Sequence, residues 1–301
     1  MIMILIPLSD LLKFFEYILF RALVLKLRFI PFFLLTPLCY WLAFILQFIL
    51  RYRNDIIIKN LAFCFPNKSK AELKDLRRQY YFRMASLILE SLKAYGMSGP
   101  ELKSRYVLRY SKEVEEVLEK EGDLIMLCSH FNNWEWAGRA LGIQLKKRLI
   151  GFAKPLSNAY IDSYIKHKRL GQNSDLIYKL KELSEPKMSS KSGRVISFLA
   201  DQYPGVHDKR HTVVFFNKGI NFHAGPSKFA YISKLPCLFA SIKRNGDHSY
   251  IFELEILSAE NHDSSIELSQ VYANKLQELI ESDPACWLWS HRRFKDQGIY
   301  V

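Results

Sequence analysis

At 301 residues the chain has room for one large α/β domain with an appendage, or for two small domains. Its 43 basic against 30 acidic residues give a formal net charge of +13, which favours anionic lipid or an acidic protein as partner. No nucleic-acid-binding motif accompanies that charge, and Cys39, Cys64, Cys128, Cys237 and Cys286 stand singly with no zinc spacing, which argues against nucleic acid, disulfides and a Cys/His metal site.

From the amino terminus, residues 8–25 are rich in Leu and Phe but carry Asp10, Lys13, Glu16 and Arg21, as an amphipathic surface helix does. Phe29 to Leu50 contains no charged residue and is long enough to cross a bilayer. Pro31 and Pro37 interrupt it, so a kinked or interfacial helix fits as well as a straight span. Lys26, Arg28, Arg51 and Arg53 flank it on both sides, which suits anionic headgroups. No basic n-region or small-residue cleavage site marks a signal peptide. Residues 1–55 are therefore expected to anchor the chain to a membrane, with 56–301 as the working domain.

Ser69 and Glu72 have capping-box spacing and open a helix with Leu73, Leu76, Tyr80, Met84 and Leu87 on one face, ended by Gly96 and Gly99-Pro100. Ser111 to Lys120 reads as a short acidic helix. Beyond it, strand-like runs at 123–128, 149–153, 194–200, 236–242 and 250–257 alternate with helical patterns at 133–144, 158–169, 225–234 and 266–281. Val213 to Phe216 and Ile220 to Phe222 flank Asn217-Lys218-Gly219 as a hairpin, and 187–193 reads as a Ser/Lys-rich loop. The expected fold is a three-layer α/β domain, a mixed central sheet flanked by helices, preceded by the hydrophobic anchoring helices.

The chemistry is expected at Cys128-Ser-His130-Phe-Asn132-Asn133-Trp-Glu135-Trp136. The apolar run before His130 is a buried strand, and Asn132 or Asn133 can cap the helix that follows. That layout lets the loop fold back so that Glu135 holds one imidazole nitrogen and leaves the other to take a proton from a hydroxyl. The bare His-x4-Glu spacing is equally that of a solvated loop pair. Three further clusters stand out. Asn158, Asp162 and Arg169 share a helix face, a pattern also met on ordinary solvated surfaces. Asp201-Gln202 follows an apolar strand, where open α/β sheets place their sites, though an Asp there also forms turns. The run Trp287 to Lys295, with Arg292, Arg293 and Lys295, interleaves aromatics with cations, either to bind phosphate or to snorkel around buried Trp.

Taken in order, these blocks resemble the late (secondary) acyltransferases of lipid A biosynthesis, the lauroyl and myristoyl transferases of Gram-negative bacteria. The resemblance covers essentially the whole chain: the proline-broken amino terminus with Arg51/Arg53, Asn60-Leu61 and Phe65-Pro66; His130 to Glu135; Asn158/Asp162/Arg169; Asp201-Gln202; Phe215-Phe216 with Gly225-Pro226; and Trp289-Ser-His-Arg-Arg-Phe-Lys295. Asn132 stands where such proteins often carry Gly. The Phe-Pro-Glu-Gly-Thr-Arg element of the glycerophospholipid acyltransferases is absent.

The resemblance implies transfer of a fatty acyl chain from a thioester, of acyl carrier protein or coenzyme A, to the hydroxyl of a hydroxyacyl chain on a lipid A precursor. His130 would be the general base oriented by Glu135. Arg169 or a backbone N–H near the helix start would meet the oxyanion. Asn158, Asp162 and Gln202 would help bind substrate, Asp201 would position a basic residue, and Arg292, Arg293 and Lys295 would meet lipid phosphates or the phosphopantetheine arm. No metal or bound cofactor is implied, and the location is the cytoplasmic face of the bacterial inner membrane. The same chemistry on another hydroxylated lipid or aminolipid, a thioesterase, and a non-catalytic membrane scaffold are the competing readings.

Overall fold

A computed structural model describes residues 8–120, 122–169, 173–184, 188, 190–205, 207–258 and 264–300. In chain order come helices α1 (Leu8–Phe29), α2 (Phe32–Phe44), α3 (Asn54–Cys64), α4 (Lys70–Ala94) and α5 (Gly99–Arg105), then strand β1 (Tyr106–Tyr110) and helix α6 (Lys112–Glu119). These lead into β2 (Leu124–Cys128), α7 (Trp134–Gln144), β3 (Arg148–Phe152), α8 (Ala159–Arg169), β4 (Ser174–Ile177) and β5 (Arg194–Leu199). The hairpin β6 (Arg210–Phe215) and β7 (Lys218–His223) follows, then α9 (Ala224–Ser233), β8 (Cys237–Arg244), β9 (Tyr250–Ser258) and α10 (Ser265–Ser282). The Ser/Lys-rich loop expected at 187–193 lies partly outside the described residues.

Seven strands form one mixed sheet in the order β1-β9-β8-β2-β5-β3-β4, in which β8 and β9 pair antiparallel and every other neighbouring pair is parallel. Alternate residues of β2 serve opposite layers. Leu124, Met126 and Cys128 join a core with α7, while Ile125 and Leu127 join one with α10 and the amino-terminal helices. A strand buried on both faces reads as the continuous apolar run seen in the sequence, and the three-layer α/β expectation holds.

Several elements escaped the sequence patterns. β1 and the four-residue β4 are short and only partly buried, so neither shows an apolar run. Gly99-Pro100 marks a new start as well as a stop: Ser98 caps α5 by accepting from the Glu101 N–H, with Pro in the first turn where its missing N–H costs nothing. The hairpin turns at Phe216-Asn217, whose φ values of 50° and 58° are the left-handed pair a two-residue turn needs. Phe216 tolerates that backbone because its ring is buried edge-on to Phe65 and its N–H donates to Gln277 Oε1 at 2.6 Å.

The amino-terminal helices are packed onto the domain. Pro31 ends the break between α1 and α2, and Pro37 sits inside α2, which runs on through a π-helical turn at Ile45–Ile49. Phe32–Ile49, with mean hydropathy 2.0, is long and apolar enough to cross a membrane. One side of it (Leu35, Cys39, Ala43, Leu46) joins the same apolar core as Ile57 and Tyr81. The other leaves Phe33, Tyr40, Trp41, Phe44 and Phe48 exposed. Lys93 fastens the end of α1 by donating to the carbonyls of Leu27, Arg28 and Ile30.

Candidate active site

β2 and β5 are parallel neighbours, with Cys128 level with Leu199. The chain leaving β2 next re-enters the sheet at β3, beyond β5. The chain leaving β5 returns at β8, on the far side of β2. Connections that depart in opposite directions leave a crevice between the carboxyl ends of the two strands. His130 rises from one end and Asp201 from the other.

The two meet closely. His130 Nδ1 lies 2.7 Å from Asp201 Oδ1, and the His130 backbone N–H donates to Asp201 Oδ2 at 2.8 Å. Trp287 Nε1–H donates to the same Oδ2 at 2.8 Å. Burial, with Asp201 only 2 % exposed, pushes its carboxyl up, but the imidazole and these three hydrogen bonds outweigh it and hold the acid below its ordinary range. A carboxylate at Nδ1 favours the tautomer with its proton there. Nε2 is then the free acceptor, and the Gln202 amide 3.2 Å away completes that geometry as a donor. The expected partnership of His130 with Glu135 is corrected here: the imidazole's carboxylate is Asp201. Five residues of chain separation put Glu135 in the first turn of α7, whereas the β2–β5 register brings Asp201 across from a distant segment.

Glu135 belongs instead to Arg169, in a two-pronged pair at 2.9 Å (Nε to Oε2) and 2.8 Å (Nη2 to Oε1). Burial lowers the Arg169 guanidinium, but Glu135 and Tyr95 beside it more than compensate and hold it above its ordinary value. The pair joins the start of α7 to the end of α8, a flat geometry suited to Arg and carboxylate.

His130, Glu135 and Arg169 line one cavity of about 270 Å³ between α7 and the sheet. Lys154 adds a further cation to the lining, and Met126, Leu141, Leu149, Ile242 and Phe252 supply apolar wall. Lining residues come from six neighbouring strands, β4 to β9 in sheet order, and at ~4.8 Å per strand that spans about 24 Å. The lining is largely apolar, with His130, Glu135, Arg169 and Lys154 among its polar members.

The remaining residues singled out from the sequence divide. Asn158 caps α8 by accepting from the N–H groups of Tyr160 and Ile161, and it ties α8 to α1 by donating to Lys13 O and Glu16 Oε2. Asp162 accepts from the Leu156 N–H, so both act as braces outside the cavity. Arg293 is 1 % exposed, lies 4.0 Å over the Phe222 ring and donates to Asn221 O. That burial, which pushes it down to about 10, removes it from contact with lipid phosphates, a correction to the expected role. Arg292 and Lys295 are exposed, Lys295 lying 5.2 Å over the Tyr203 ring.

Other contributors gave little signal in the sequence. Trp287 stood out only as an aromatic. Trp134 sets its ring 5.1 Å from His130, edge to face. Tyr272 donates to Cys128 O at 2.7 Å, steadying the end of β2. Glu90 is fully buried on α4 and accepts from Asn133 Nδ2 (2.7 Å), His248 Nδ1 (2.7 Å) and Tyr250 OH (2.5 Å). Asn133 in turn caps α7 by accepting from the Trp136 N–H. Asn60, flagged by motif alone, donates to the carbonyls of Trp289 and His291 and so holds the loop that carries Trp287.

A model of bacterial lipid A biosynthesis acyltransferases matches residues 7–296. Among curated relatives, the lipid A biosynthesis palmitoleoyltransferase of Escherichia coli (strain K12) is 21 % identical over 251 residues, covering 83 % of this chain and 81 % of its own. The lipid A biosynthesis acyltransferase of Shigella flexneri is similar to the same extent. The lipid A biosynthesis lauroyltransferase of Escherichia coli (strain K12) is 23 % identical over 246 residues, 81 % of this chain and 79 % of its own. A match of this extent, over a chain whose strand ends and largely apolar cavity suit acyl transfer, shows that the protein belongs to the bacterial lipid A biosynthesis acyltransferase family.

Proposed function

We propose that the protein moves a fatty acyl chain from a thioester, of acyl carrier protein or coenzyme A, to the hydroxyl of a hydroxyacyl chain on a lipid A precursor. The observation that carries this reading is the His130–Asp201 pair, whose imidazole lines a largely apolar cavity. The donor's acyl chain lies in this cavity, and the acceptor hydroxyl approaches His130 Nε2. That nitrogen takes the hydroxyl proton as the oxygen attacks the thioester carbonyl. The carbon–sulfur bond breaks, and the imidazolium returns its proton to the departing thiolate. Asp201 holds the imidazole and offsets its transient positive charge. Arg169, steadied by Glu135, supplies positive charge near the developing oxyanion. No metal or cofactor takes part.

The exposed apolar side chains of α1 and α2, with Lys26 and Arg28 at the end of α1 and Arg51 and Arg53 beyond the helical run that continues α2, support attachment to the anionic inner membrane at its cytoplasmic face. Lys154 in the cavity lining and the exposed Arg292 and Lys295 suit the acidic carrier protein.

The test is an in vitro transfer with purified protein in detergent, acyl-carrier-protein thioester and tetra-acylated lipid A precursor, read by mass spectrometry. Addition of one acyl chain, lost in His130→Ala, is the expected result. Thioester consumed only with a crude lipid extract would move the acceptor elsewhere. Free fatty acid released without acceptor would make the protein a thioesterase.

A further inference from the structure

A second cleft, of about 320 Å³, opens beside α2 and is lined by Thr36, Arg83, Arg244, Asp247, His248 and Asp283. Nothing in acyl transfer at His130 uses it. Arg83, half-buried on α4, has no hydrogen-bond or ion-pair partner among the described residues; its guanidinium meets the ring of Phe82 at 5.8 Å. Asp247 and Asp283 line the same cleft but make no ion pair with Arg83, which leaves its donors open to a ligand, and the guanidinium fork is the side chain best shaped for a phosphate. Arg244 adds a second positive charge, held by Tyr250 OH at 3.0 Å and lying 4.0 Å from Glu90.

The lining is mixed. Two carboxylates stand beside two guanidiniums, an arrangement that disfavours a bare anion and fits one whose neighbouring groups are hydroxyls. The place is equally specific. Thr36 belongs to the apolar α2, whose neighbours Phe33, Tyr40 and Trp41 are exposed. Arg83 and Arg244 also border the small cavity reaching Asn132 and Trp134, and the Trp134 ring touches His130. The cleft thus lies between a membrane-suited helix and the reacting centre.

We propose that this cleft binds a phosphate of a phosphorylated, hydroxyl-rich lipid headgroup, with Arg83 as the principal contact, Arg244 as second cation, and Asp247 and Asp283 accepting from hydroxyls. The proposal rests on the acyl-transfer reading for why such a lipid is presented here, and it locates the acceptor's headgroup apart from the acyl cavity.

The experiment measures binding of two probes to full-length protein in detergent by surface plasmon resonance. One is the tetra-acylated glucosamine disaccharide bisphosphate, and the other is the same lipid after phosphatase treatment. Wild type should bind the phosphorylated lipid about tenfold tighter, in keeping with one charge-assisted contact. Arg83→Gln should bind both alike, and Arg83→Lys should keep part of the preference. Equal weakening for both lipids, or no preference in wild type, would overturn the proposal, as would Arg83-dependent binding of inorganic phosphate without any lipid preference. Thermal melting checks that the variants fold. The readout does not need turnover: an Arg83-dependent preference without transfer to either lipid sinks the acyl-transfer reading and leaves the cleft standing, while transfer without the preference does the reverse.

Discussion

Asp201 accepts two hydrogen bonds from one residue: Oδ1 faces the His130 imidazole at 2.7 Å and Oδ2 takes the His130 backbone N–H at 2.8 Å. Side chain and main chain are thereby oriented by the same buried carboxylate, which Trp287 clamps from a third direction. An imidazole held this way needs no rearrangement to accept a proton, and Glu135 pairs with Arg169 instead.

Asp201→Asn should lower kcat by about 10²–10⁴, because an amide at that position no longer favours the tautomer with a free Nε2. The amide also sets an N–H group against one of the donors Asp201 satisfies, so melting should fall too, and turnover is compared at a temperature where the variant is fully folded. Were Glu135 the orienting group, Glu135→Gln would be the more damaging of the two. Comparing kcat for both variants decides between them.

Glu135 and Arg169 should behave as a unit. Glu135→Gln and Arg169→Gln are each expected to impair transfer, and the double variant should be hardly worse than either alone. A coupling energy on the order of 1–3 kcal/mol is the expectation for residues sharing a two-pronged pair. Simple additivity in a double-mutant cycle would show that the contact carries no joint function.

Asn132 has φ of 51°, in the left-handed region, and its Nδ2 donates to Ile242 O at 2.7 Å. Asn and Gly are the residues that best tolerate that backbone. Asn132→Gly should cost about 1 kcal/mol through the lost hydrogen bond. Asn132→Val should cost more, adding about 1–2 kcal/mol of backbone strain. Denaturant melts of the two variants give the order directly.

Burial, opposed by Asp201 and reinforced by the positive charge of Arg293, depresses His291 to about 4, so the ring stays neutral and its Nε2 accepts the Tyr203 N–H at 3.1 Å. Its folded pKa lies below the unfolded value near 6.5, so the unfolded chain binds the extra proton first. Stability from this residue is complete above about 6.5 and falls as pH drops toward 4, by up to ~3 kcal/mol. His291→Asn should flatten the melting temperature across that window. An unchanged acid slope would assign it to other groups.

Glu90 has three donors and no exposure, so Glu90→Ala strands Asn133, His248 and Tyr250 at once. The expected loss is about 3–5 kcal/mol, typical of a broken buried ionic network. Because Asn133 caps α7, the surviving folded fraction should also lose turnover. Chemical unfolding with activity measured at each point separates the two effects.

Much of this molecule was legible along the chain. The apolar run ending at Cys128 marks a strand buried on both faces, the Ser69–Glu72 box opens α4, and the uncharged stretch from Phe29 identifies the helix suited to a membrane. Each rests on local periodicity, charge or capping, which neighbouring residues alone express. Short β1 and β4 left no such trace, because their pairing comes from partners far away in sequence. The same reason governs the site. His130 and Glu135 are near in sequence and marked the right loop, but the choice of Asp201 as the imidazole's partner, of Arg169 as Glu135's, and of burial for Arg293 was made by strand register and helix packing. Those are distances across the fold, set by which segments lie side by side, and no spacing along a single chain encodes them.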